Sequence, residues 1–242
     1  MRFIGTEGNT MNFKTMVINL DRREDRYEQF LKVFTRNHER FSAYDGALLL
    51  KNEENLGEFE TNLLNSLRSD RRNPPRHLNG VFGCWLSHYN LWKMLSKDEN
   101  TDFYVIFEDD IKISSRFEEE YDKILENIDY SFDFYYLGGR FKENFVPMNK
   151  QPWKMKKIND YEFGYSVDKT SLNYDHDRGL FSYVITKSAA NKLVNLVHSH
   201  IKNVGSIAAV DGWVNENRVF ISTADVFPHL TWSPANFNSD IR

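Results

Sequence analysis

Residues Tyr104 to Asp110 read YVIFEDD, four apolar or aromatic side chains followed without a break by three carboxylates. An apolar run of this length, bounded by charge, is the pattern of a fully buried strand, and it extends back to give DFYVIF over 102–107. Ligands of open α/β sheets gather at the carboxyl ends of strands, where Glu108, Asp109 and Asp110 fall. Three adjacent acids raise one another's pKa unless a counter-charge is present. A hard divalent cation, Mn²⁺ or Mg²⁺, would supply it through oxygen ligands. The competing reading is a polar loop start, because acidic triplets arise readily in a chain that is 27% charged.

Outward from this stretch, strand patterns alternate with helix patterns. TMVINL (15–20) reads as a buried strand. It is followed by DRREDRYEQFLKVF, where Tyr27, Phe30, Leu31 and Phe34 form one apolar helix face. Asp21 is the expected cap there, with Glu24 three residues on. The region 47–80 reads as part helix and part Arg/Pro/Asn loop, and GVFGCWLSHYNLWKML restarts a helix with Trp85, Leu86, Tyr89, Trp92 and Met94 as its apolar face. A helix is expected over 117–128, strands over 132–139 and 180–186, a helix capped by Ser188 over 188–200, and further strand over 219–227. Residues 140–178 read as long loops or a hairpin. The alternation implies an α/β fold with a mixed or mostly parallel sheet covered on both faces.

The chain has 242 residues, 40% hydrophobic and 15% aromatic, enough for one α/β domain with a sizeable core. A single domain over 1–242 is expected, with 1–14 as a flexible N-terminus. A net charge of −4 carries no nucleic-acid or anionic-membrane signature. Cys84 is the one cysteine, so no intrachain disulfide is possible. MRFIGTEGNTMNFK lacks the apolar run of a secretory leader and no stretch approaches a membrane span, so the expected location is cytoplasmic.

Other stretches carry chemistry with two readings each. Arg22, Arg23 and Arg26 lie in the first turns of a helix, where the macrodipole disfavours each by ~0.3–1 kcal/mol. An anion bound there would reverse that sign. Alternatively Asp21, Glu24, Asp25 and Glu28 neutralise the arginines locally. His88 reads as a hydrogen-bonded core histidine and Cys84 as a small buried apolar residue. Asp211, in AAVDGWVNE, reads as a turn residue or, if it projects into a cleft, as a general base. His229 in VFPHL follows a strand and is a candidate metal ligand.

These stretches together resemble glycosyltransferase family 25, which includes lipopolysaccharide glycosyltransferases and collagen galactosyltransferases. The resemblance is carried by INLDRREDR (Ile18 to Arg26), RFSAYDG (Arg40 to Gly46), Gly80 to Trp92, the EDD after its strand, YYLGGR, RGLFSYVITKSAANKLV, VDGW and FPHLTW…NSDI. The order is kept over residues 15–241. Val81 departs from the family, which often has Glu there, and 140–178 does not align.

The resemblance implies a GT-A fold, Rossmann-like, with inverting transfer of a hexose from a UDP-sugar. Galactose is the commonest sugar and glucose the next, the acceptor being a hydroxyl of a glycan or hydroxylysine, with Mn²⁺ or Mg²⁺ as cofactor. Asp110 would ligate the metal, with Asp109 or Glu108 at the ribose or the metal's water shell and His229 as a further ligand. Arg22 and Arg26 would balance the diphosphate; Asn19 and Leu20 would lie near the uridine. Asp45, Ser87 and His88 would make secondary donor contacts, and Asp211 would be the general base. The rival classes are a catalytically silent nucleotide-sugar or carbohydrate-binding module and a metal-dependent phosphohydrolase or nucleotidyltransferase.

Overall fold

The computed structural model describes residues 2–4, 10–127, 132–139, 153–158, 161–166, 179–217, 220–227 and 230–232. In chain order the elements begin with β1 (Arg2–Ile4), β2 (Thr10–Asn19), α1 (Glu24–Leu31), β3 (Glu39–Ser42), α2 (Gly46–Lys51), α3 (Glu58–Ser69) and α4 (Leu78–Lys97). Next come β4 (Phe103–Glu108), β5 (Lys112–Ile113), α5 (Phe117–Asn127), β6 (Phe134–Tyr136), β7 (Gly138–Gly139), β8 (Trp153–Ile158) and β9 (Tyr161–Ser166). The last are β10 (Ser182–Thr186), α6 (Lys187–Asn203), α7 (Val210–Glu216), β11 (Thr223–Phe227) and β12 (Thr231–Trp232).

The main sheet runs β1-β2-β4-β10-β6-β11-β9-β8, with β3 beside β2. In its centre, β3, β2, β4, β6 and β11 share one direction and β10 opposes them. This is the expected mixed, mostly parallel α/β sheet. Antiparallel pairs β1–β2 and β8–β9 close its two edges. A small sheet, β5-β12-β7, lies apart from it.

Strand alternation divides the core in two. On one face Met16, Ile18, Tyr104, Ile106 and Tyr183 pack with Leu63 of α3, Trp85 and Trp92 of α4, Leu193 of α6 and Trp213 of α7. On the other, Phe13, Val17, Phe103, Val105 and Phe107 pack against Phe30, Phe34 and the Phe117, Tyr121 and Ile124 stripe of α5. Helices therefore cover both faces, as the alternation of elements implies. Burying an aromatic side chain of this kind stabilises by ~1.5–3 kcal/mol, so both layers are needed to hold β4 in place.

Several local expectations are corrected. The strand expected over 15–20 is β2, which starts at Thr10, and β1 precedes it, so residues 2–4 and 10–14, expected as flexible terminus, form strand in the sheet; Phe13 stacks on Phe103 at 5.1 Å. Asp21 does not cap: a 3₁₀ turn, Asp21–Arg23, precedes α1, and Asp21 instead accepts from Ser42 Oγ at 2.6 Å. The cap of α6 is Thr186, which accepts from the Ala189 amide, rather than Ser188. Leu31 and Met94, placed on apolar faces, are 42% and 44% exposed, because each helix turns that flank to solvent. The hairpin reading of 140–178 is met by β8 and β9 for the part that is described.

Gly46 and Gly83 mark where α2 crosses α4. A Cβ on Gly46 would meet the carbonyl of Asn79 and lie 2.9 Å from the Gly83 nitrogen; one on Gly83 would meet the Tyr44 carbonyl. These are backbone atoms and cannot rotate aside. Gly46→Ala is expected to destabilise by about 1–3 kcal/mol, the ordinary cost of overpacking, measured by denaturant unfolding. An unchanged midpoint would show that the two helices can separate freely.

Candidate active site

Parallel pairing of β2 and β4 puts Ile18 opposite Glu108, so the next residues, Asn19 and Asp109, leave the sheet side by side. Asn19 Nδ2 donates to Asp109 Oδ2 and to the Arg23 carbonyl, while its Oδ1 accepts from Arg40 on β3. Arg40 also lies over the Tyr27 ring, at 4.8 Å. From α1, Arg26 brings Nη1 to 3.8 Å from Asp109 Oδ1 and 3.7 Å from Asp110 Oδ2. Arg26 is only 7% exposed, so its charge acts where water screens little.

The arginines of the 3₁₀ turn and α1 thus divide their partners. Arg23 pairs locally with Asp25 at 2.9 Å, as the local reading had it. Arg22 reaches Asp45 at 2.6 Å, and Arg26 reaches the acids after β4. Asp45 caps α2 through the Ala47 and Leu48 amides. Burial opposes its ionisation, but the Arg22 bond and those amides leave its carboxyl below the ordinary value. Leu20 lies at the start of the 3₁₀ turn, its carbonyl accepting from the Arg23 amide at 2.8 Å.

The alternation of β4 sends Glu108 the other way, to the α4 side with Tyr104 and Ile106. Its Oε1 lies 3.2 Å from His88 Nε2 and 3.9 Å from Cys84 Sγ. His88 Nδ1 is bonded to Tyr183 OH at 2.8 Å, and Trp92 Nε1 donates to the same hydroxyl at 3.1 Å. Ser87 is buried, accepting from the Tyr44 amide and donating to the Gly83 carbonyl, so it ties the chain before α2 to α4. Val81, where the family often has Glu, is buried in the same layer.

Asp211 is half-buried in the first turn of α7, its Oδ1 accepting from the Gly212 amide at 2.8 Å. Its charge is felt at Glu108, His88 and Cys84, so it lies near that group. His229 lies outside the described residues.

Burial, with Asp109 and Asp211 nearby, pushes Glu108 up to about 8. Burial also raises Asp109 to about 6, the Asn19 bond and Arg26 opposing it while Asp110 reinforces it. Burial lowers His88 to about 3 and holds the Cys84 thiol well above its usual range. Arg26 faces Asp109 and Asp110, Arg23 also acts on Asp109, and the acids Glu108 and Asp211 lie close behind. The surplus negative charge and the oxygen-only pair of Asp109 and Asp110 suit a hard divalent cation.

A carboxyl whose folded pKa is raised weakens stability as pH rises from its unfolded value, 4.5, to its folded one, about 8. Glu108→Gln removes that slope, on the order of 1 kcal/mol per pH unit at most. In chelator, the variant is expected to melt close to the parent at pH 4 and above it at pH 8. A difference that does not grow with pH would contradict the raised pKa.

The architecture is a mostly parallel α/β sheet with Glu108, Asp109 and Asp110 at the carboxyl end of β4 and the basic start of α1 facing Asp109 and Asp110. The sequence profile of glycosyltransferase family 25 (LPS biosynthesis protein) matches residues 12–212. The chain belongs to glycosyltransferase family 25. A protein of Acanthamoeba polyphaga mimivirus that carries a glycosyltransferase name is 30% identical over 188 residues, 76% of this chain and 53% of the relative. Procollagen galactosyltransferase 2 of Homo sapiens is 26% identical over 184 residues, 74% of this chain and 26% of the relative. The chain thus spans about half the length of the first relative and about a quarter of the second. A solved glycosyltransferase involved in glycosylating the major capsid of PBCV-1 is 8% identical with TM-score 0.45, covering 94% of this chain and 95% of its own. No helix among the described residues is long and apolar enough to cross a membrane.

The contacts of Arg40 with Asn19, of Tyr183 with His88 and Trp92, and of Cys84 with Glu108 were not expected from the sequence, which placed Trp92 only on an apolar helix face. The period-2 rule applied to YVIFE would have put Glu108 on the face opposite Phe107. The partners on α4 and β10 carried no local signal.

Proposed function

We propose that this domain is a metal-dependent inverting hexosyltransferase, taking its sugar from a UDP-sugar and delivering it to a hydroxyl of a glycan or hydroxylysine-type acceptor. Galactose is the first choice of sugar, following the name of the human relative, and glucose the second. The observation that carries the reading is the Asp109–Asp110 pair at the carboxyl end of β4, held by Asn19 and faced by the buried Arg26. Asp109 and Asp110 would hold Mn²⁺ or Mg²⁺, which when bound offsets the charge that builds on a departing diphosphate.

The chain's own groups carry the remaining work. Arg26, and Arg22 through the edge it forms with Asp45, set positive charge beside the diphosphate. Asn19 and Leu20 line the end of β2 where the nucleoside base would lie. Asp211 removes the acceptor hydroxyl's proton onto its carboxylate as that oxygen attacks the anomeric carbon opposite the leaving group. The new bond is C–O to the acceptor, and the bond broken is C–O to the β-phosphate.

The test is a thermal-shift panel of UDP-, GDP- and CMP-sugars with and without Mn²⁺, followed by an acceptor screen with the donor that binds. A UDP-hexose is expected to raise the melting temperature more with Mn²⁺ than without. A shift produced by GDP- or CMP-sugars alone, or one indifferent to Mn²⁺, would overturn the donor and metal assignments.

A further inference from the structure

We propose that Cys84, His88 and Glu108 form a second metal site, suited to a borderline-soft divalent ion of the Zn²⁺ class and separate from the Asp109–Asp110 pair. Sγ, Nε2 and a carboxylate oxygen of the three residues all lie within 4.8 Å of one another. Zinc bonds of about 2.0–2.3 Å in tetrahedral array put neighbouring ligand atoms roughly 3.3–3.7 Å apart. The Nε2–Oε1 and Sγ–Oε1 separations, 3.2 and 3.9 Å, bracket that edge length.

The frame is rigid. Cys84 and His88 are four residues apart on α4, so one helix face presents both. Glu108 is fixed by the last pairing of β4 with β2. The imidazole is oriented from behind, since Tyr183 OH holds Nδ1 and Trp92 Nε1 holds Tyr183, leaving Nε2 as the ring atom aimed at Glu108. Outer bonds of this kind set the ring of a metal-bound histidine and raise its affinity.

Donor type distinguishes the two sites. Asp109 and Asp110 offer oxygen alone, the preference of Mn²⁺ and Mg²⁺, whereas thiolate, imidazole and carboxylate together are a zinc donor set. Geometry points the same way: Glu108 Oε1 meets the neutral His88 ring at Nε2, 3.2 Å away, with the Asp211 carboxylate nearby. The trio is also reachable, because the Glu108 side chain keeps 20% of its surface exposed and Cys84 is only partly buried. Three protein ligands leave a fourth position for water or a further ligand, the pattern of a zinc site that keeps one coordination place open.

Co²⁺ titrated into chelator-stripped protein provides the test. Thiolate-bound tetrahedral Co²⁺ gives a near-ultraviolet charge-transfer band and strong visible bands, whereas oxygen-bound octahedral Co²⁺ gives neither. Because the sequence holds one cysteine, a charge-transfer band from the intact protein can only come from Cys84. The expected result is both bands, bleached by stoichiometric Zn²⁺. Cys84→Ser should lose the charge-transfer band, and His88→Gln and Glu108→Gln should each weaken Co²⁺ by about tenfold or more. Asp110→Ala should keep the full spectrum. Absence of the charge-transfer band in the parent protein, or visible bands unaffected by His88→Gln and Glu108→Gln, would overturn the site. The inference does not depend on the hexosyltransferase reading: failure to bind any UDP-sugar leaves the cobalt spectrum unchanged, and a blank spectrum leaves the thermal-shift panel unchanged.

Discussion

Asp110→Ala is expected to eliminate Mn²⁺-dependent transfer while the purified variant folds as the parent does. Asp110 stands in the turn just after β4 and belongs to neither hydrophobic cluster, so removing it takes no apolar side chain from the core. Its structural partner Arg26 keeps Asp109, at 3.8 Å. What disappears is one of the two oxygen donors that would hold the cation, and with it the balance against the leaving diphosphate. The measurement is initial rate against Mn²⁺ concentration, with circular dichroism and melting temperature as the control for folding. A variant that turned over donor at the parent rate would show that the acids after β4 hold no catalytic cation.

Asp211→Asn is expected to lower turnover by ~10²–10⁴-fold, the usual contribution of a general base, with UDP affinity unchanged. The amide can still accept from the Gly212 amide, as Asp211 Oδ1 does at 2.8 Å, so the first turn of α7 survives the change. The substitution also removes a charge that helps raise Glu108, and the Glu108 pKa should fall. Direct titration with UDP separates the outcomes: equal loss of binding and turnover would make Asp211 a donor ligand rather than a base.

How far the sequence alone reached can be judged element by element. β4 was legible because an apolar run ending in charge has few other ways to fold, and a mixed, mostly parallel sheet with two-sided helical cover followed from the alternation of patterns, whereas the strand order, with β10 reversed between β4 and β6, rests on long-range pairings no local pattern carries. Asn19, the arginines of the first helix and the three acids stood out as residue types, and parallel pairing of β2 with β4 brings them together. The cap at Asp21 was misread because Ser42, twenty-one positions away, competes for the same carboxylate. Nothing in a local window carries that information. The same holds for Glu108, whose neighbours Cys84, His88 and Tyr183 come from α4 and β10. The cap of α6 was missed by two residues, within the ordinary uncertainty of helix ends.

The contact of Gly46 with Gly83 has a bearing on how the cleft can be re-engineered. Backbone meets backbone there, with Asp45 beside one glycine and Cys84 beside the other, so the crossing has no room for an added methyl group. Variant libraries that seek to enlarge this region should therefore leave Gly46 and Gly83 in place, since a side chain added at either meets main-chain atoms.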